Sequence, residues 1–417
     1  MTNTATQNTD VLISGGGIAG PALAYWLRRY GYRPVVVERS AAPRPGGQAV
    51  DLRGAGRTVI ERMGLMDRAR AASLDQRGIA WVDERGRIGA RLPAEMFGGE
   101  GIVSELELLR DDLGQILYEA TAAGTEYLFD DTITGLDQDD DGVSVTFEKT
   151  APRRFGLVAG ADGLRSVTRR LAFGPGGVHP IGCYTAWFTA RADLDLDGWY
   201  LMHNAPGGLV VSARPGRAAG EVKAGLSFRS GPLDYDRTSA AAQKKLIAAR
   251  FAGVGWETPK LLAAMRDADD FFFEPMGQVR MDTWSAGRVA LLGDAGYCPT
   301  PLTGLGTSLA LVGAYVLAGE LAAAGGEHRL AFRRYGEVMR PYVAKAQELP
   351  PGGVRGYAPK GRAAIRMHTE SMRLMTRWPA RPLLAAQFAK AGDIELPDYG
   401  QSSGHACTGS LVCMCSM

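Results

Sequence analysis

The sequence holds little histidine, little cysteine and no surplus of either charge. Its five histidines, His179, His203, His328, His368 and His405, show no HExxH or other metal-ligand spacing, and no nucleophile–base pairing stands out. No metal site is expected. The five cysteines, Cys183, Cys298, Cys407, Cys413 and Cys415, are odd in number and lack framework spacing, which fits a reducing cytoplasm rather than a disulfide scaffold. Lys+Arg total 47 against 45 Asp+Glu, leaving a net charge of +2 and no electrostatic footprint for nucleic acid or an anionic membrane. Long hydrophobic runs are also missing. The longest, Leu309 to Ala324, contains Glu320 and is too short and polar for a membrane span. The N-terminal MTNTATQNTD carries no charge before Asp10 and does not read as a signal peptide. What is abundant is glycine, 55 residues clustered at turns, in a chain otherwise ordinary for a globular protein at 46% hydrophobic and 22% charged. The length allows two or three domains' worth of core.

The first glycine cluster is ISGGGIAG, 13–20, after the apolar run DVLIS and before a helical stretch ending near Gly31; PVVVER, 34–39, then reads as a second strand. Gly15, Gly17 and Gly20 have G-x-G-x-x-G spacing, with Ile18 and Ala19 opening the helix. Glu38 lies 21 residues beyond Gly17 and closes the second strand, with Arg39 next to it. Glycines let the backbone meet a pyrophosphate at a helix N-terminus, and the acid suits a ribose hydroxyl. This βαβ unit predicts a dinucleotide site without distinguishing NAD from FAD.

Two further turns follow the same logic. GLVAGADGLRSVTRR, 156–170, reads as a strand, a Gly-Ala-Asp-Gly turn with Asp162, and a helix start with Arg165. LLGDAGYCPTPLTGLGTSLAL, 291–311, reads as a buried strand, a turn with Gly293 and Asp294, a Pro-rich loop with Pro301, and a helix opened by Gly304, Leu305 and Gly306. Between these turns, YTAWFTARADL, WYLMHNAPGGLVVSAR and EVKAGLSFRS (184–230), with FFFEPMGQVRM (271–281), alternate as an antiparallel sheet of their own. Residues 81–92 read as a hairpin. Helices are expected over 54–72, 105–123, 239–266, 304–323, 329–348, 361–376 and 380–391, with a loop at 350–361. The Gly/Ser/Cys-rich end reads as a flexible tail.

The three turns, in this order, resemble the fingerprint motifs of the group A flavin monooxygenases, which share the fold of para-hydroxybenzoate hydroxylase. The likeness runs from about residue 10 to about 345. PRPGGQAVDLRG, 43–54, resembles most closely the tetracycline-inactivating and polyketide-tailoring members. The resemblance implies an α/β fold: a Rossmann-like FAD-binding domain (1–75, 100–175 and 282–330), a mixed antiparallel-sheet substrate domain (76–99 and 176–281), C-terminal helices (331–396) and a flexible tail (397–417). It implies that Asp294 contacts the ribityl chain, and that Gly304 and Gly306 lie under the flavin pyrimidine edge. A helix N-terminus there would stabilise a reduced, anionic flavin by about 0.3–2 kcal/mol. Asp162 and Arg165 would serve FAD and NAD(P)H together, Arg110 would face the flavin and its phosphates, and Arg44 and Asp51 would take part in NADPH and flavin contact. Two departures stand out: Tyr297 where the family commonly has His, and Ser308 where Asn is common. Both are expected near flavin or substrate.

The implied chemistry is an FAD-dependent monooxygenation. NADPH or NADH reduces FAD, dioxygen forms a flavin hydroperoxide, and one oxygen passes to a polycyclic aromatic or polyketide-like small molecule, most simply as a hydroxylation. The protein would act as a monomer or homodimer and supply position and dryness rather than a catalytic side chain. Trp187, His203, Phe228, Phe273 and Pro301 are the candidate pocket residues. Three other readings stay open: a non-oxygenating cyclase or isomerase using FAD as a structural wall, a plain NAD(P) dehydrogenase, and a protein that only sequesters its ligand.

Overall fold

The computed structural model describes residues 9–43, 46–96, 106–376 and 392–400. Arg44, the expected helix near 380–391 and the cysteine-rich tail from 401 lie outside the described residues. Two sheets organise the rest. The first has six strands in the order Ser285–Ala286, Val289–Leu291, Leu157–Gly160, Asp10–Ser14, Arg33–Glu38 and Glu126–Phe129. All neighbours are parallel except the edge pair Ser285–Ala286 with Val289–Leu291. The four central strands are short apolar runs, buried along most of their length and covered on both faces, whereas the two edge strands are only partly buried.

The consequence for function lies in the strand order. The three glycine turns leave the carboxyl ends of three adjacent strands, and Ser14, Gly160 and Leu291 stand side by side in register. Motifs spread over almost 300 residues of sequence are thus gathered at one edge, where open α/β sheets bind their ligands. The helix Ala19–Arg29 packs on Gly306–Ala323, which in turn packs on Gly54–Arg62 and His328–Ala346. Contrary to the sequence reading, the helix Gly306–Ala323 is long and apolar enough to cross a membrane, yet 83% of it is buried inside the protein, so it is a core helix. Its buried Glu320 is matched by the Tyr399 hydroxyl, which donates to Oε1 at 2.8 Å.

The second sheet has seven strands in the order Phe272–Val279, Val178–Arg191, Glu221–Arg229, Leu209–Pro215, Trp199–Ala205, Gly78–Val82 and Ile88–Pro93. It is antiparallel except where Trp199–Ala205 meets Gly78–Val82. The expected hairpin at 81–92 therefore joins this sheet. A smaller antiparallel meander, Ile133–Gln138, Val143–Phe147 and Arg153–Phe155, covers one face of the first sheet, packing on Leu12, Val35, Val37, Val158 and Val289.

Local readings needed corrections: the helix expected over 54–72 is two, Gly54–Arg62 and Met66–Ala71, and that over 239–266 is Ala240–Arg250 and Thr258–Asp267. Residues expected as helix from 105 begin instead as the strand Glu107–Leu109, because Ala49–Asp51 supplies its hydrogen-bond partner; the helix starts at Arg110. The expected loop at 350–361 contains the short helix Gly353–Tyr357. The strand read from 184 starts at Val178, with an irregularity between Pro180 and Cys183.

Candidate functional site

The dinucleotide loop is built from its glycines. Gly15 has φ +111°, and a Cβ there would stand 2.4 Å from the Ala161 carbonyl oxygen of the neighbouring motif. A Cβ on Gly20 would stand 1.9 Å from the Gly15 carbonyl oxygen. Only glycine permits either approach. Half-buried Ile18 precedes the helix Ala19–Arg29, whose first turn has no side-chain cap and so leaves its N–H groups for an anion. Glu38 does more than was read from its spacing. Its Oε2 accepts from Gly16 N at 2.7 Å and its Oε1 from Ser40 N at 2.9 Å. It ties the loop to the second strand, and each oxygen keeps a lone pair for a ribose hydroxyl. Arg39 beside it is exposed.

At the other end, Gly293 turns the chain at φ +60°, and Asp294 follows as the one exposed residue in an otherwise buried run from Leu291 to Thr300. It lies deep in the protein but keeps exposed surface. Burial raises its pKa, while a hydrogen bond from the Cys298 thiol and the charge of Arg110 pull it back. The thiol keeps its proton, since burial and the neighbouring carboxylate push the Cys298 pKa well up. Thr300, in the loop that joins Asp294 to the next helix, has φ +80°. A non-glycine residue in such a region costs about 1–3 kcal/mol, and strain of this kind concentrates at functional loops. Exposed Pro301 begins the turn Pro301–Thr303, Gly304 follows at φ +65°, and Leu305 leads into the uncapped helix start at Gly306. A Cβ on Gly306 would find only Asp294 Oδ1, at 3.9 Å.

Arg110 links the two ends. Its Nη2 would lie 3.2 Å from a Cβ on Gly17, and its charge acts on Asp294. Arg110 thus stands between the first glycine loop and Asp294. These residues fit an FAD whose AMP end meets the first loop and whose flavin end meets the second. Replacing Asp294 by Ala is expected to weaken FAD binding by about 10- to 100-fold, the loss of one charge-assisted hydrogen bond, read by quenching of flavin fluorescence on titrating apoprotein.

The Gly-Ala-Asp-Gly turn serves the frame. Both Asp162 oxygens are engaged inside the protein, by Ser166 Oγ at 2.5 Å, Thr168 N at 2.9 Å and Thr168 Oγ1 at 3.0 Å. Arg165 is exposed. Sequence reasoning missed Arg169, whose guanidinium is buried and donates to the Ala295 and Leu164 carbonyls, each at 2.7 Å. It fastens the second motif to the third. Nothing but its place one helical turn after Arg165 marks it in the sequence.

Both departures from the family pattern have structural roles. The Tyr297 hydroxyl lies 2.7 Å from that of Tyr335, which donates to the Leu291 carbonyl, and its ring packs on Trp284. Ser308 donates to the Arg53 carbonyl at 3.1 Å, and a Cβ on Gly56 would stand 2.8 Å from its Cα. It joins two helices at close approach. Asp51 pairs with Arg53 at 2.6 Å, and its Oδ2 would lie 3.7 Å from a Cβ on Gly304.

The candidate pocket residues divide between the two faces of the seven-stranded sheet. Phe228 and Phe273, with Tyr184, Ala186 and Phe188, face the helices Ala240–Arg250 and Thr258–Asp267 and bury against Ile247, Phe251, Leu261 and Met265. His203 shares that side; its Nδ1 sits 3.1 Å from the Val82 carbonyl oxygen and its ring beside Trp256. The structure thus places Phe228, Phe273 and His203 in a packing layer, because strand alternation turns them away from the glycine loops. Trp187 falls on the opposite face. That face meets the ribbon Ala49–Asp51/Glu107–Leu109 through Arg214 and Glu107, the Gly46–Gln48 turn through Gln48 and the Ala224 carbonyl, and the helix Gly353–Tyr357 through Tyr357 and Ser227. The same helix touches the Pro301–Thr303 turn and closes the enclosure.

Comparison with known proteins gives a consistent result. Residues 8–345 match the family model described as an FAD binding domain. An uncharacterized protein of Mycobacterium tuberculosis is 46% identical over 354 residues, 84% of this chain and 94% of that protein. A flavin-dependent monooxygenase of Legionella longbeachae is 38% identical, over 82% of this chain and 88% of its own. The crystal structure of the tetracycline destructase Tet(51) superposes with a TM-score of 0.80 at 33% identity, covering 94% of this chain and 99% of that one.

Proposed function

Because the chain belongs to the FAD binding domain family and is an FAD-dependent monooxygenase, we propose that it hydroxylates a planar polycyclic aromatic or polyketide-like small molecule, with NADPH or NADH as reductant. The observation that carries this reading is the sheet face turned toward the glycine loops. It offers the half-buried indole of Trp187 to a flat molecule, framed by the hydroxyls of Thr185, Ser212, Ser227 and Tyr357, which are bonded within the protein. The likeness to a destructase named for tetracycline supports the same substrate class.

When bound, the flavin supplies the redox and oxygen-transfer chemistry. The chain supplies the rest. Arg110 and Asp294 hold the cofactor's length in place. The uncapped start of Gly306–Ala323 presents N–H groups to negative charge. Pro301–Thr303, Gly353–Tyr357 and the sheet wall off the site from water. The buried free thiols of Cys183 and Cys298 suit a reducing cytoplasm.

The test uses the FAD-loaded enzyme, NADPH and a panel of polycyclic phenols including tetracycline, under labelled dioxygen. The expected result is NADPH oxidation accelerated by substrate, with a product carrying one labelled oxygen. A product of unchanged mass would instead identify a non-oxygenating flavoprotein.

A further inference from the structure

The face assigned above to substrate carries a cross-strand pair of very unequal size. Trp187 and Gly225 are direct partners across two neighbouring strands. A Cβ on Gly225 would stand 2.2 Å from Trp187 Cζ3, 2.7 Å from Cε3 and 2.4 Å from Ser212 Oγ. Gly225 is not among the glycines with positive φ, so its backbone conformation does not demand glycine. A glycine inside a strand weakens it and leaves nothing to pack. What the glycine provides is room: the six-membered ring of Trp187 lies down on the strand itself. The ring is only half-buried, whereas Phe188 beside it in sequence is fully buried on the other face.

Two polar chains flank this ring. On one side Tyr357 donates to Ser227 at 3.0 Å and Ser227 to Thr185 at 2.9 Å. On the other, the Lys223 ammonium donates to Thr189 Oγ1 at 2.9 Å, and Thr189 is held by Asp270 at 2.5 and 2.8 Å. These groups are mutually satisfied and fixed. The result is an apolar platform between two rigid polar edges.

We propose that Trp187, laid flat on Gly225, is the platform on which a planar multi-ring substrate stacks, and that Gly225 is a specificity-determining residue because it sets the plane of that ring. The proposal rests on the assignment of this face to substrate. Adding a methyl group at Gly225 tips the indole out into the pocket and removes the flat surface. A single-ring ligand, which needs less of that surface, is affected little.

The test measures binding of dihydroxyanthraquinone, as the planar probe, and p-nitrophenol, as the single-ring control, to the FAD-loaded enzyme by flavin difference spectra and tryptophan fluorescence. Expected for Gly225→Ala is a weakening of about 10- to 100-fold for the planar probe, the range of a lost aromatic stack, with less than about threefold for the control and unchanged FAD affinity. Trp187→Ala should lose the planar probe to the same degree, and it decides the matter if Gly225→Ala does not fold. Wild-type affinity for the planar probe in either folded variant overturns the platform, as does a wild-type enzyme that fails to bind that probe up to its solubility. Binding as expected without labelled oxygen in any product would leave the platform standing and overturn the proposed reaction instead.

Discussion

Gly20→Ala folds but retains almost no flavin. The added methyl group would sit 1.9 Å from the Gly15 carbonyl oxygen, a backbone atom with nowhere to go. Gly15 is pinned from behind, since its N–H donates to the Val37 carbonyl at 2.8 Å, and its own Cα faces the Ala161 carbonyl closely. The strand Asp10–Ser14 and the helix Ala19–Arg29 must therefore move apart. Overpacking of this kind costs about 1–3 kcal/mol of stability, which a large two-sheet core tolerates. The loop geometry at the helix N-terminus does not tolerate it, because the anion site is made of the same backbone groups. We expect FAD affinity to fall by at least about 100-fold, read as loss of the yellow chromophore on purification and as a shifted fluorescence titration of apoprotein. Gly114→Ala is the matched control. Gly114 lies inside the helix Arg110–Glu119 with no atom within 4 Å of its Cβ position, so alanine there should keep flavin and stabilise by about 1 kcal/mol. A Gly20→Ala protein that copurifies with a full complement of FAD would refute the close-approach account.

The close backbone packing of the first loop was legible in the sequence because glycine spacing reports a local backbone requirement. That the motif runs are buried strands was legible for a related reason. Each turn follows a short apolar run, and runs buried on both faces belong to parallel sheets. The sites that sequence reasoning placed poorly share a different property: they depend on which way a side chain points. Tyr297 sits two residues after Ala295 in a cofactor motif, yet its hydroxyl bonds Tyr335 from a distant helix. Phe228 and Phe273 are as aromatic as Trp187, and only strand parity separates them from it. Parity is fixed by register with neighbouring strands and by the helices Ala240–Arg250 and Thr258–Asp267 that cover one face, neither of which composition reveals. Asp162 is a further case. Its motif marks it for cofactor, but in the structure it also accepts from Ser166 and Thr168, four and six residues on, at the start of the next helix.

The charge cluster buried between the two sheets, of which the sequence reading named only Asp51, sets a second large effect. Asp51 and Glu107 are direct cross-strand partners, two carboxylates face to face. Arg53 pairs with Asp51, and Arg214 from the seven-stranded sheet bonds Glu107 Oε1 while its guanidinium lies 3.7 Å above the Tyr200 ring. Glu107 Oε2 is buried without a hydrogen-bond partner. Burial outweighs the pull of Arg214, and with the charge of Asp51 it pushes the Glu107 pKa up to about 7 from an ordinary 4.5. Arg214 stays charged throughout.

The folded state therefore holds this proton more tightly than the unfolded chain. The stabilisation is fully present below about pH 4.5, and is lost as the pH rises through about 7. Its ceiling is on the order of 3 kcal/mol. Urea midpoints should fall between about pH 5 and 8, and Glu107→Gln, which carries no titratable proton, should flatten that slope. Arg214→Ala is the harsher change. It strips the cation from a buried carboxyl and opens the contact that joins the substrate sheet to the ribbon carrying Asp51 and leading into Arg110. Breaking a buried pair from one side costs about 3–5 kcal/mol. Pairing Glu107→Gln with Arg214→Met should recover most of that loss, because the pair is then replaced rather than broken. A wild-type urea midpoint for Arg214→Ala, or a pH slope that survives Glu107→Gln, would show that the two halves are held together by packing alone.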